Sequence, residues 1–461
     1  MTDAIIETSE RPGTPVHLVT SDSLDAVLAE TFVQGLAQAA DFKARAGQIL
    51  IVPNDQGKVR EVYFGLGSQA GINLQTLRGL PAKLPPGDFT LTTLPEGLDA
   101  ADLALAFAQG TYRFDRYKTR DPAGVRLVMP GVDLAEARQI AQACALARDM
   151  INTPANDLGP LQIETLARDV AQTFGAEITV ITGDDLLTHN YPAVHAVGRA
   201  AVPHRASRMI ELTWGQPDHP VVVVIGKGVV FDTGGLDIKP SSSMRFMKKD
   251  MGGAAHALAL GRMIMAGKLP LRLIVLIPAV ENAISGDAMR PGDILSTRKG
   301  LTIEVGNTDA EGRLILADAL TRADELNPAL TLDLATLTGA ARVALGPQLP
   351  PFFTDDEDLA RQIEQAAQTT GDPVWRLPLW KGYLDSLDSD IADIRNDPDG
   401  WAQAGAMTAA LFLQRFAPKG PWAHFDIFAW NPRSRPGFPS GGEAQAIRGL
   451  YQMLRTRFHG V

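Results

Sequence analysis

The chain has 461 residues, with 43 Lys+Arg against 53 Asp+Glu, 8 His and 1 Cys. At roughly 150 residues per domain the length suggests two or three domains, and an apolar fraction of 45% excludes a disordered chain. The formal net charge of -10 argues against a nucleic-acid or anionic-lipid binder, and the lone Cys144 excludes an intrachain disulfide or a thiolate metal cluster.

The N-terminus, MTDAIIETSERPG, is acidic and has no apolar core, so no secretory signal is expected. The longest apolar runs, 221–225 and 273–280, are strand-length and fall short of the roughly 18 residues that span a bilayer. With one cysteine, a cytoplasmic protein is expected. Runs 16–20, 48–52, 59–65 and 89–93 read as strands, and 23–39 and 100–110 as helices. Together they predict a small N-terminal α/β domain over 1–120. A linker and connecting helix over 121–155 follows, with a hinge expected in the polar stretch 113–124. Asp133 can cap a helix over 133–152, in which Leu134, Ala137, Ile140, Ala141, Cys144, Ala147, Arg148 and Ile151 mark one largely apolar stripe. Asn152-Thr153-Pro154 ends it, and 160–174 reads as a second helix with Pro at its start.

The remainder, 156–461, alternates strands and helices. Strands are expected at 177–181, 208–213, 221–226, 271–278, 302–305, 330–334 and 423–428, and helices at 252–266, 312–326, 356–369 and 405–416. Several strands are apolar on both faces. The expected fold class is therefore α/β, the larger C-terminal domain having a mostly parallel central sheet covered by helices on both faces.

Common catalytic signatures are missing. No Ser sits in a GxSxG frame, no GxxxxGK[ST] loop exists and there is no HExxH. The run 221–228 opens like a dinucleotide turn, but Phe231 stands where a third glycine belongs. Two polar segments remain. The first, 225–255, carries Lys227, Asp232, Asp237, Lys239 and Asp250 among glycines after a buried strand, where α/β folds bind ligands. A surface loop with solvated charges is the plain alternative. In the second, 306–317, Asp309, Glu311 and Arg313 alternate. On an extended chain they share one face, which favours a loop before a helix starting near Gly312. The carboxylates repel unless something positive sits between them, either a divalent metal or Arg313 itself. An acidic first turn of a helix is the alternative. Hard carboxylates can hold two metal ions without His or Cys, and a lysine can join them if the cation drives off its proton.

The strings GKGVVFDTGG, DIKPSSSM, KKDMGGAA, NTDAEGRL and DLATLTGA, in this order, resemble the leucyl aminopeptidase family of two-zinc enzymes. The likeness covers most of 135–430, with NTPAND and GAMTAALFL included. It implies a metallo-exopeptidase that releases N-terminal residues, Leu or Met by preference, using water activated by two divalent ions, Zn²⁺ or Mn²⁺. By motif, Lys227 and Asp250 bind one ion, Asp232 and Glu311 bridge both, and Asp309 binds the other. Lys239 stabilises the oxyanion, and Arg313 holds a bicarbonate-like anion that acts as general base. Met247, Thr336, Leu337 and Gly339 line the site for the N-terminal residue. The resemblance also implies a homohexamer acting in peptide catabolism. The chain departs from the family pattern at Ala404, where a glycine is common, and over its last ~30 residues. His256 reads as a helix-packing residue and Cys144 as inert core. Two other readings stay open. One is an aminopeptidase-fold regulator that binds DNA, against which the charge argues. The other is a scaffold in which Asp309 and Arg313 form only an ion pair.

Overall fold

The computed structural model describes every residue except 1, 11, 119–123, 399, 402, 460 and 461. The expected hinge at 113–124 therefore lies partly outside the described residues. The chain forms two compact units, Met1–Ala145 with Pro432–Ser440, and Leu146–Asn431 with Gly441–Val461. The boundary falls within the helix Ala135–Asn152.

The first unit is built on a six-stranded sheet. Its strands are β1 (Ile5–Ile6), β2 (Thr14–Val19), β3 (Ile49–Pro53), β4 (Val59–Gly65), β5 (Gly87–Thr93) and β6 (Val125–Val128), in the order β1-β6-β5-β2-β4-β3. All neighbours are parallel except β3 and β4. The expected helix 23–39 is two pieces, Leu24–Val27 and Thr31–Ala39. The helix Ala100–Gly110 is capped by the Asp99 carboxylate, which accepts from the backbone N–H of Ala101 and Asp102. Its Leu103 and Phe107 pack into a core with Val16, Leu18, Val62 and Phe64. The short strands β1 and β6 escaped the sequence reading, because two to four residues carry no measurable period.

In the second unit the strands are β7 (Glu177–Thr182), β8 (Arg208–Trp214), β9 (Val221–Gly226), β10 (Gly228–Asp232), β11 (Arg272–Asn282), β12 (Ile294–Ser296), β13 (Thr302–Glu304), β14 (Leu330–Ala335), β15 (Pro351–Phe353), β16 (Trp375–Arg376), β17 (Ile394–Arg395) and β18 (Trp422–Asp426). Nine of them form the main sheet, ordered β16-β15-β18-β14-β9-β11-β8-β7, with β10 also paired to β11. The centre, β18-β14-β9-β11, is parallel, whereas β7, β8 and β15 run antiparallel to their neighbours β8, β11 and β18.

Alternation along β11 shows how the central sheet is covered. Ile274 and Leu276 share a core with Val223, Ile225 and the residues Leu314–Leu320 region of the helix Glu311–Glu325. Leu273 and Val275 point the other way. A Cβ placed on Gly261 of the helix Gly252–Ala266 would lie 3.0 Å from the Val275 side chain and 3.5 Å from that of Leu273. One helix therefore presses on each face. Burial on both faces explains why Val221–Gly226 is continuously apolar and not alternating.

Within the helix Gly252–Ala266, His256 is fully buried. Its Nδ1 lies 2.6 Å from the Gly252 carbonyl and its Nε2 accepts from the Gln445 backbone N–H at 2.9 Å. These partners suit the neutral ring, with the proton on Nδ1. His256 is thus a packing residue, as the sequence suggested. Burial pushes its pKa down to about 4 from 6.5. Between those values the unfolded chain binds the extra proton, so stability is full above pH 6.5 and falls as pH drops towards 4. A loss on the order of 3 kcal/mol is expected across that window. Urea melts at pH 7 and pH 4.5 should show this slope flattened in His256→Gln, and an unchanged slope would refute the assignment.

Candidate metal centre

The candidate residues collect at the carboxyl ends of the central strands. Lys227 directly follows β9, Asp232 ends β10, and Thr336 follows β14. Asp250 lies in the 3-10 turn Met247–Met251, immediately before the helix Gly252–Ala266. Glu311 is the first residue of the helix Glu311–Glu325, and Asp309 precedes it by two. The helix expected to start near Gly312 starts one residue earlier, at Glu311, so Arg313 lies within its first turn and does not share an extended face with the two carboxylates. The positive end of the helix dipole favours an acid in that first turn.

Charges alternate closely. The Lys227 ammonium lies 2.7 Å from Asp250 Oδ2 and 3.0 Å from Glu311 Oε1, and donates to the Thr336 carbonyl at 3.2 Å. Lys239 pairs with Asp232 Oδ2 at 2.8 Å and with Asp309. The other Asp232 oxygen, Oδ1, accepts from Asn282 Nδ2 at 2.8 Å and from the Gly234 backbone N–H at 2.9 Å. Thr336 Oγ1 donates to Asp250 Oδ1 at 2.9 Å. Carboxylate oxygens of Asp232, Asp309 and Glu311 lie within 4.8 Å of one another. Glu311 is 1% exposed, and its Oε2 has neither a hydrogen bond nor an ion pair among the described residues.

This crowding shifts the titrations. Burial, and then the charge of Asp232, raise Glu311 well above the usual carboxylate range. The same two causes push Asp309 up to about 6. Burial opposes the charged form of Lys227, but Asp250, Glu311 and Asp232 outweigh it and hold its pKa above the ordinary lysine value. Asp232, Asp309 and Glu311 thus form a concentrated acidic cluster with a free buried oxygen, a donor set that suits a hard divalent cation.

A cavity of about 310 Å³ opens on the cluster. Lys227, Asp232, Lys239, Asp250 and Asp309 line it, as do Met247, Thr336, Leu337 and Gly339. Arg313 does not. It is buried, and its Nη1 donates to the Asn396 carbonyl at 2.6 Å. The Asp309–Arg313 ion pair of the scaffold reading is not present, since Asp309 pairs with Lys239. Sequence reasoning missed Asn282, which anchors Asp232, and Asp426, which accepts from the backbone N–H of Leu337 and Thr338. It also missed Lys249, Arg342 and Phe428 in the cavity wall. Only Lys249 sits inside one of the recognisable strings.

Gly312 is fitted to Lys227. A Cβ there would lie 2.6 Å from Lys227 Cε and 2.7 Å from Nζ. Gly312→Ala should displace the lysine, cost about 1–3 kcal/mol of stability by overpacking, and weaken binding of a divalent ion at least about tenfold. Titration calorimetry with Mn²⁺ checks this, and wild-type affinity in the variant would separate Lys227 from any metal site.

The nine-stranded, largely parallel sheet with this acidic cluster at the carboxyl ends of its strands defines an α/β protein whose donor set suits a divalent cation. The chain belongs to the cytosol aminopeptidase family: residues 145–451 match the family's catalytic domain and residues 14–130 match the M17 aminopeptidase N-terminal domain. It is accordingly a hydrolase that acts as an aminopeptidase. A protein of Syntrophotalea carbinolica named probable cytosol aminopeptidase is 36% identical over 454 residues, covering 91% of each chain. A cytosol aminopeptidase crystal structure from Coxiella burnetii superposes with a TM-score of 0.93 at 42% identity, covering 99% of this chain and 100% of the other. The bottromycin maturation enzyme BotP in complex with Mn gives a TM-score of 0.87 at 33% identity, covering 97% and 100%. The fold expected from the sequence, two α/β units with mostly parallel sheets flanked by helices, is the one observed. Among the described residues no helix is long and apolar enough to cross a membrane.

Proposed function

We propose that the catalytic segment, 156–461, removes N-terminal residues from peptides with two divalent ions per subunit. The observation that carries this reading is the convergence of Asp232, Asp309 and Glu311 around a buried, unpartnered Glu311 oxygen. Lys227 and Asp250 would hold one ion, Asp232 and Glu311 would be shared, and Asp309 would hold the other. When bound, the ions supply Lewis acidity and a water nucleophile at neutral pH. Lys227 must shed its proton to serve, so binding is linked to proton release.

The protein groups do the rest. Lys239 lines the cavity. Once its carboxylate partners are engaged elsewhere, its ammonium is free to donate to the oxygen that gains charge during attack. Arg313 would hold a bicarbonate-like anion that accepts the proton of the attacking water. Its planar fork suits an oxyanion, and its buried Nε lacks a partner among the described residues. Met247, Thr336, Leu337 and Gly339 provide an aliphatic wall for the carbons of the first side chain, which supports accepting Leu or Met.

The Mn-bound relative supports a divalent metal such as Mn²⁺, and Zn²⁺ is what the family resemblance implies. Relatives named cytosol aminopeptidases support action in the cytoplasm, and the resemblance to the leucyl aminopeptidase family implies a homohexamer engaged in peptide catabolism. The net charge of -10 disfavours a DNA-binding role. Protein reconstituted with Zn²⁺ or Mn²⁺ should release amine from aminoacyl-p-nitroanilides and leave N-acetylated analogues intact. Cleavage of the acetylated analogues at equal rate would sink the exopeptidase reading.

A further inference from the structure

Two cations line the cavity outside the carboxylate cluster. Lys249 is 3% exposed, and its Nζ makes no hydrogen bond among the described residues. Its nearest carboxylate oxygen is Asp250 Oδ1 at 3.9 Å, and that oxygen already accepts from Thr336. Arg342, on the short helix Gly339–Leu345, is half-buried and has no ion pair among the described residues. Both approach one ring. The Lys249 Nζ is 5.2 Å from the Phe428 centroid and the Arg342 guanidinium carbon is 4.6 Å from it.

A buried ammonium without a hydrogen-bonding partner is costly, and a cation–π contact recovers only part of that cost. Placing a guanidinium on the same ring adds like-charge repulsion. Of the acids of the cluster only Asp250 is near, at 3.9 Å from the Lys249 Nζ, and it relieves little of this. Asp250 and Glu311 are held by Lys227, and Asp232 and Asp309 by Lys239. The arrangement lacks an anion, and the cavity is where one can enter.

The position of Lys249 says which part of a substrate would bring it. Lys249 adjoins Asp250 in sequence and lines the same cavity as Met247, Thr336 and Gly339, the residues assigned above to the first side chain. An apolar wall with cations beside it matches a side chain of methylene groups ending in a carboxylate. We propose that this enzyme selects peptides with an acidic N-terminal residue, glutamyl before aspartyl, and that Lys249 and Arg342 determine that specificity. The proposal rests on the aminopeptidase reading and refines it. A glutamyl side chain carries both the methylenes that Met247 and Thr336 can cover and the carboxylate that the cations lack.

The test is steady-state kinetics of the Mn²⁺-loaded full-length enzyme on glutamyl-, aspartyl- and leucyl-p-nitroanilide. The wild type is expected to favour glutamyl over leucyl in kcat/KM by at least about tenfold. Lys249→Met should lower the glutamyl-to-leucyl ratio on the order of 100-fold, through a raised KM for glutamyl and a lowered one for leucyl. Lys249→Arg should keep the preference, and Arg342→Met should weaken it in a protein whose cluster is untouched. A wild type that favours leucyl, with a ratio unmoved in both methionine variants, overturns the proposal while leaving the aminopeptidase reading intact. Absence of cleavage on all three substrates would overturn both.

Discussion

Glu311→Ala is expected to lower aminopeptidase kcat/KM by a thousandfold or more, on the order of what loss of a central electrostatic group in a hydrolytic site costs. Glu311 is the residue through which the two halves of the cluster meet. One of its oxygens reaches Lys227, and the carboxylate lies within 4.8 Å of those of Asp232 and Asp309. The other oxygen has no hydrogen-bond partner among the described residues. A carboxyl group buried at 1% exposure with a free oxygen is a poor structural element by itself. Its value must come from a cation. The variant Glu311→Gln makes the point sharper, because it keeps the shape and removes the charge. In metal-free protein it should melt no lower than the wild type. In Mn²⁺-loaded protein it should bind fewer ions and lose activity to the same extent as Glu311→Ala. Wild-type activity in either variant would remove Glu311 from the mechanism.

The second large effect is expected from metal removal. Four carboxylates, Asp232, Asp250, Asp309 and Glu311, face two ammonium groups, Lys227 and Lys239. Oxygens of Asp232, Asp309 and Glu311 lie within 4.8 Å of one another and repel, so divalent cations among them should stabilise the fold as well as enable it to act. Dialysis against a chelator should reduce activity to background, and added Zn²⁺ or Mn²⁺ should restore it. An ion held at a hundred times its dissociation constant contributes about 2.7 kcal/mol to unfolding free energy at each site. Denaturant titrations with and without ion measure that difference, alongside metal analysis of the purified protein. Equal stability in both, with less than one equivalent bound after reconstitution, would restore the scaffold reading.

Much of this protein is legible without coordinates. The helices Ala100–Gly110, Pro160–Phe174 and Gly252–Ala266 and the strands Val59–Gly65 and Val221–Gly226 have the very limits their residues suggested. Strong local signals mark three of them: the Asp99 cap of Ala100–Gly110, the Pro at the first position of Pro160–Phe174 and the valine run of Val221–Gly226. Short elements were missed for want of length. The helix Pro192–Gly198 has seven residues, and its N-terminal backbone N–H groups are satisfied by the distant Asp318 carboxylate. No local cue announces a cap supplied from more than a hundred residues away.

The alternation of Asp309, Glu311 and Arg313 placed the helix start near Gly312, one residue late. Period two implies a shared face only on extended chain, and the helix begins at Glu311. The two carboxylates still meet, but because Asp309 lies outside the helix and Glu311 within its first turn. Arg313 is carried off to the Asn396 carbonyl.

What the sequence by itself determined is therefore the α/β class, the course of the long elements, and the strings that hold the acidic residues and lysines. Those features are local, and propensity, capping and hydrophobic period write them into short windows. Only the tertiary structure decided which charges find partners. The parallel strands bring Lys227, Asp250 and Glu311 within 3.0 Å of shared contacts across more than eighty residues of chain, and leave over Phe428 a Lys249 with only Asp250 at 3.9 Å and an Arg342 with no ion pair among the described residues. Pairing in a buried site depends on distance and solvent exclusion, and both are properties of the folded sheet and its helices, not of neighbouring letters.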